Sequence, residues 1–188
     1  MYEVRKEALG LLEQQARLGN IDLYYGDETK VSQTGYVPYG WQFDDEQVVI
    51  PATKGASINC FGLLSRSNDF IYRNTTQNIN ADFIIETLDE FSLTLNVLTV
   101  VVLDNASPHT AKKVKQCFEV WQQRGLYIFY LPPYSPHLNI IERLWKEVKE
   151  GWLKPDDYLC ADSLFYALNR ICANIGKKLF LNFSDATF

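Results

Sequence analysis

The chain has no apolar run approaching the length of a membrane span. Its first residues, Met1-Tyr2-Glu3-Val4-Arg5-Lys6, contain no signal-peptide core. Both absences argue against a membrane-embedded or secreted protein. The four cysteines, Cys60, Cys117, Cys160 and Cys172, form no CxxC pair, and the closest two are 12 positions apart. That spacing argues against a zinc site or a disulfide framework and fits a reducing cytosol. Positive charge is also short: 18 Lys and Arg face 23 Asp and Glu, for a net charge of −5, which argues against a large basic DNA-binding face. No internal repeat, low-complexity tract or clear linker interrupts the 188 residues, so one domain with a real core is expected.

What is present is an alternation of β-type runs and amphipathic helices. Val4–Leu18 reads as a helix with Val4, Ala8, Leu11, Leu12 and Leu18 on one stripe, ended by Gly19-Asn20. Ile21–Tyr25 is a short strand, followed by Gly26-Asp27-Glu28-Thr29. Gly35–Trp41 reads as a loop or hairpin. Val48–Ile50, Ile58–Leu64 and Phe70–Tyr72 read as strands of an antiparallel meander. Trp41 could stack on a base, but support of the core or hairpin is its commoner role. Asn80–Phe91 is a helix with Asn80 as N-cap and Ile84, Ile85, Leu88 and Phe91 inward.

The apolar run Val97–Leu103 is a buried strand that ends at Asp104-Asn105. A helix from Pro108 to about Gln123 follows, with Ser107 as N-cap and Val114, Cys117, Phe118 and Trp121 inward. Its Lys112, Lys113 and Lys115 read more readily as a solvated face than as phosphate contacts. Leu126–Leu131 is another strand, stopped by Pro132-Pro133-Tyr134-Ser135-Pro136. The next helix buries Ile141, Leu144, Trp145, Val148 and Trp152 and sets Glu142 on a neighbouring face with Asn139, Lys146 and Lys149. Ser163–Ile175 is a last amphipathic helix.

This order implies an α/β fold: a mixed central sheet with an antiparallel meander and helices on both faces. Asp27, Asp104 and Glu142 all fall at element ends, where sites on sheets gather. Taken alone, Asp27-Glu28 is an ordinary solvated turn, and Glu142 with Lys146 an ordinary i,i+4 surface pair worth about 0.3–0.5 kcal/mol. Three converging carboxylates would repel one another unless cations lay between them. Oxygen ligands select Mg²⁺ or Mn²⁺, and two such ions about 3.5–4 Å apart activate a water or 3′-hydroxyl and stabilise the leaving oxygen of a phosphodiester.

Three blocks carry a family resemblance: Gly26-Asp27-Glu28; Val101–His109, which reads strand-Asp-Asn-x-x-x-His; and Leu131–Trp145, which contains Pro-x-Ser-Pro-x-Leu-Asn-x-x-Glu. With 37 residues between Asp104 and Glu142, the chain resembles the DDE catalytic domain of IS630-type transposases, in the Tc1/mariner superfamily, from about Ile21 to Ile175. The resemblance implies an RNase H-like fold. It also implies cleavage at transposon ends and strand transfer into target DNA with two Mg²⁺ or Mn²⁺ ions. Asp27, Asp104 and Glu142 match the metal-binding triad, with Glu28, Asn105, His109, Asn139, Lys146 and Lys149 as supporting or DNA-contacting candidates. Asn105 is expected to orient Asp104 or a metal-bound water, and His109 to contact DNA or hold the loop; a purely structural role in the turn is as good a reading for either.

Implied partners are double-stranded DNA and, by analogy, a second copy in a homodimer, acting in the cytoplasm at the bacterial nucleoid. The family ordinarily carries an N-terminal helix-turn-helix region. Residues 1–20 supply one helix only and are expected to be a remnant of the linker to it, with 21–188 as the catalytic domain. Two other readings share the fold. One is an inactive relic that serves as an interaction module. The other is a different RNase H-like nuclease, against which the Ser-Pro-x-Leu-Asn-x-x-Glu block speaks.

Overall fold

The computed structural model describes residues 2–33 and 55–183. The loop expected at Gly35–Trp41 and the strand expected at Val48–Ile50 lie outside the described residues.

Five strands form one mixed sheet in the order β3-β2-β1-β4-β5. They are β1 (Asp22–Ser32), β2 (Ser57–Ser65), β3 (Phe70–Thr75), β4 (Thr99–Leu103) and β5 (Leu126–Tyr130). The meander β1-β2-β3 is antiparallel, while β4 and β5 join it in parallel. Side chains alternate between the two faces. Leu23, Tyr25, Cys60, Leu64, Val100 and Val102 pack on one side, under helices α1 (Tyr2–Arg17), α6 (Ile141–Glu147) and α7 (Ala161–Asn174). Tyr24, Phe61, Leu63, Val101 and Leu103 pack on the other, under α2 (Ala81–Ser92), α4 (Lys112–Gln116) and α5 (Phe118–Gln123). The sheet is therefore covered on both faces, as the alternation of elements predicts. Among the described residues no helix is long and apolar enough to cross a membrane, and all four cysteines are free thiols.

Several local expectations change. The first strand does not end at Tyr25. Its ladder with β2 continues to Ser32↔Ser57, which carries Asp27 and Glu28 inside the strand. Long-range pairing supplies partners that a polar Gly-Asp-Glu stretch does not advertise. The stripe of α1 is also different: Val4, Leu11 and Leu18 are exposed, and Leu9 with Glu13 faces the sheet. Glu13 goes inward because Arg66 and the Tyr25 hydroxyl meet it there.

The single helix expected from Pro108 is three short pieces: α3 (Ser107–Thr110), α4 and α5. At Ala111 the backbone is non-helical, with ψ 143°. Ser107 is not the N-cap; that position is Ala106, and its N–H is taken by the Asp104 carboxylate instead. Asn80 does cap α2, accepting from the Phe83 N–H at 3.0 Å. The last helix starts earlier than Ser163, behind Cys160, whose sulfur accepts from the Ser163 N–H.

Candidate active site

Strand parity decides which acidic residues meet. Tyr25 pairs with Val102 across the parallel β1–β4 ladder. Two residues further along the same register, Asp27 comes to lie beside Asp104. Both follow the parity of Tyr25 and Val102, which is the α6 face, and Glu28 takes the opposite one. Gly26 lets this end of the sheet close, since a Cβ there would sit 2.6 Å from Leu103 Cδ2 and 2.9 Å from Leu63 Cδ2.

Packing then brings Glu142 within electrostatic reach of Asp27 and Asp104. Trp145, one turn beyond it in α6, is buried edge-on against Phe70 at 6.1 Å and rests over Gly62, where a Cβ would come within 2.9 Å of its ring. Asn139 ties the approach to α6 onto β1, donating its Nδ2–H to the Gly26 carbonyl at 3.2 Å. Glu142 thus sits in the first turn of a helix docked on the Asp27 strand.

The electrostatics report the convergence. Burial raises Asp27, and the charges of Glu28, Glu142 and Asp104 raise it further, to about 7. Burial also raises Glu142; Lys149 works against that shift and Asp104 adds to it. Asp104 moves the other way, held below the usual carboxylate range chiefly by its hydrogen bond to His109.

His109 is the fixed point of the cluster. Its side chain is 0% exposed. Nδ1 lies 2.6 Å from Asp104 Oδ1 and Nε2 2.9 Å from Glu28 Oε2. Burial alone would lower its pKa, but the bonds to Asp104 and Glu28 outweigh that and push it up to about 9. With each ring nitrogen against a carboxylate, the protonated ring is favoured. Tyr130 donates its hydroxyl to the His109 carbonyl at 2.7 Å, and Phe61 lies against the ring at 5.9 Å. Asp104 Oδ1 also accepts the Ala106 N–H at 2.9 Å. With His109 and Ala106 both on Oδ1, Oδ2 is the oxygen left to face a ligand.

The remaining candidates divide. His109, expected to contact DNA or hold the loop, is fully buried against Asp104 and Glu28. Asn105, expected to orient Asp104, instead donates to the Leu131 carbonyl at 2.7 Å and braces the end of β4 against β5. Lys149 lies within electrostatic reach of Glu142, whereas Lys146 points to solvent and reaches Glu150 at 3.8 Å. Among the described residues no three His, Cys, Asp or Glu side chains are grouped tightly enough to enclose an ion. The donor set nonetheless suits a hard divalent cation: it is all oxygen and mutually repulsive. Sequence reasoning missed the pairing of Glu28 with His109, which are 81 positions apart; a periodicity argument holds no signal for it.

A family model for the DDE superfamily endonuclease domain matches residues 22–164. No curated protein matches the chain in sequence. Among solved structures it is similar to the Mos1 mariner paired-end complex with Mn, at 16% identity and TM-score 0.63, over 92% of this chain and 53% of that one. The corresponding complex with Mg gives 15% and 0.59 over the same shares. The catalytic core domain of BIV integrase gives 16% and 0.52, over 84% of both chains. At these identities the likeness is one of fold, and the chain spans about half the length of the Mos1 chains in those complexes. Sheet order, helical layers and neighbours agree on an RNase H-like architecture, and by the match over most of its length the chain belongs to the DDE superfamily of endonucleases.

Proposed function

We propose that this chain is the catalytic domain of an IS630-type transposase of the Tc1/mariner superfamily. In this reading it cuts phosphodiester bonds at transposon ends and joins them to target DNA, using Mg²⁺ or Mn²⁺. What supports the reading is Asp27 and Asp104 at the matching end of the paired strands β1 and β4, with the helix that bears Glu142 docked on β1 and Asp27 raised to about 7 by burial and by its acidic neighbours.

Asp27, Asp104 and Glu142 are the residues that would hold the ions. Two divalent ions supply Lewis acidity at the phosphate and a more acidic attacking hydroxyl. The protein's own contribution is orientation: the Glu28–His109 pair and the Ala106 N–H fix Asp104, while Asn139 and Trp145 fix the helix that bears Glu142. Double-stranded DNA is the substrate, and Lys149, within electrostatic reach of Glu142, is the residue to meet a phosphate. Two copies acting on two ends, at the bacterial nucleoid in the cytoplasm, follow from the same reading, as does residues 1–20 being linker to a DNA-recognition region.

The test is nicking of supercoiled plasmid with Mn²⁺ or Mg²⁺. Nicking is expected in the parent and absent, to background, in Asp104→Ala. A variant as active as the parent overturns the assignment.

A further inference from the structure

Helix α1 turns Leu9 and Glu13 to the sheet, where Glu13 meets Arg66 and the Tyr25 hydroxyl, and Arg5 donates to the Tyr130 carbonyl. Its opposite face carries Val4, Leu11 and Leu18, which are 68%, 62% and 65% exposed. One exposed aliphatic residue is ordinary. Three of them, at successive steps of seven residues, form a stripe about 21 Å long that points away from the core. No contact among the described residues accounts for it, and the inward face already holds the helix in place. Seven residues is the period that stays in contact with a second helix, because the two wind slightly around each other.

The charges say which helix. Glu3 precedes Val4 and Arg17 precedes Leu18; both are exposed, and neither has an ion-pair partner among the described residues. A second α1 laid antiparallel on this face, Leu11 against the partner's Leu11, sets Val4 on the partner's Leu18 and Glu3 beside the partner's Arg17. Two-fold symmetry makes each of the last two contacts twice. Parallel pairing would oppose like charges at both ends. We infer that the outer face of α1 is a self-docking surface, where two copies of this chain pair antiparallel through Val4, Leu11 and Leu18, with Glu3 and Arg17 reciprocally opposed. The nuclease reading calls for two copies and gives the contact its use; the contact itself needs neither DNA nor metal. Three aliphatic side chains from each copy cover less than a standard interface, which takes about 800 Å² per partner. The dimer is accordingly weak, with a dissociation constant of about 10–500 μM.

The test is sedimentation equilibrium of the full chain without DNA or metal, over about 10 μM to 1 mM. The parent is expected to pass from monomer to dimer across that range. Leu11→Glu, which sets a carboxylate against its own symmetry mate, is expected to stay monomeric and to keep the parent's melting temperature, because the position is exposed in the single chain. Glu3→Arg and Arg17→Glu should each weaken pairing by about three-fold or more, and the double variant should restore it. A parent that stays monomeric overturns the inference and leaves the stripe to a helix of another protein. Leu11→Glu pairing like the parent overturns it too, as does a double charge variant no better than the singles. Pairing through α1 in a chain that nicks no plasmid would overturn the nuclease reading and leave the surface standing.

Discussion

Two acidic sites meet β1 within a few residues of each other, one at Tyr25 and one at Asp27-Glu28, and they are solved in opposite ways. At the first, Glu13, 1% exposed, is held by Arg66 at 2.6 and 2.8 Å and accepts the Tyr25 hydroxyl. Burial, and then the Glu13 charge, push that phenol far above its ordinary range, so it stays a donor. At the other, among the described residues, Asp27, Glu28, Asp104 and Glu142 share one cation from the core, His109, which lies against Asp104 and Glu28. Among the described residues Asp27 has no such partner, and it rises to about 7. The first site is an electrostatically closed structural tie. The second is left short of positive charge by the protein itself, as a site that recruits its cations from outside would be.

Breaking the closed site should cost the most stability. Glu13→Ala strands the Arg66 guanidinium and the Tyr25 hydroxyl together. We expect a loss of about 3 kcal/mol in denaturant unfolding, toward the lower end for a buried pair because Arg66 is partly solvated. Nicking per folded molecule should be unchanged. A loss under about 0.5 kcal/mol would class Glu13 with ordinary surface pairs.

Next in size is the brace of the open site. His109→Gln removes the imidazolium that fixes Asp104 Oδ1. Mn²⁺ binding by calorimetry is expected to weaken by about 10–100-fold, the usual penalty for losing an outer partner of a ligand. Glu28→Gln should give a smaller loss in the same direction, since it leaves the shorter His109–Asp104 bond in place. Full affinity in both variants would mean that Asp104 needs no orienting.

Neutralising the unpaired carboxylate should do the reverse of Glu13→Ala. Asp27 has a raised pKa in the folded state, so its contribution is favourable below its unfolded value and is lost as pH rises through about 7. Without divalent ions, Asp27→Asn should therefore be more stable than the parent at pH 8, and no more stable at pH 4. The same substitution should abolish Mn²⁺ binding. Stability that does not depend on pH in this comparison would show that Asp27 lies outside the repulsive cluster.

How legible was this in the chain? The strand run before Asp104, the Asn80 cap and the helix bearing Glu142 are local patterns; the cap lies where the sequence puts it, while the strand begins at Thr99 with Val97 and Leu98 exposed and the α-helix gives way to a π-helical turn after Glu147. Residues set by distant partners do not announce themselves. Asp27 is mid-strand because β2 pairs with it, Glu13 is buried because Arg66 lies 53 positions away, and α1 turns Val4, Leu11 and Leu18 outward as a result. The breaks at Ala111 and Cys117 follow no glycine or proline, so helical periodicity runs straight through them. Polar and charged residues in an amphipathic helix read as solvent-facing until the partner is known.

Lys146 and Lys149 show the same limit on a smaller scale, and the smallest effects are expected there. Helical spacing groups both with Glu142, and only packing separates them. Lys146 is well exposed and pairs loosely with Glu150 at 3.8 Å, so Lys146→Ala should change stability by no more than a few tenths of a kcal/mol and leave nicking alone. Lys149 holds down the Glu142 carboxyl, which burial and Asp104 push up. Removing it in Lys149→Ala raises that carboxyl further, so more alkaline solution is needed to ionise it, and the acid limb of the nicking profile should move to higher pH. Lys146→Ala should leave that limb in place. If both variants shift it equally, the lysines act as a diffuse field along the helix; if only Lys149→Ala does, Glu142 has one specific cationic neighbour.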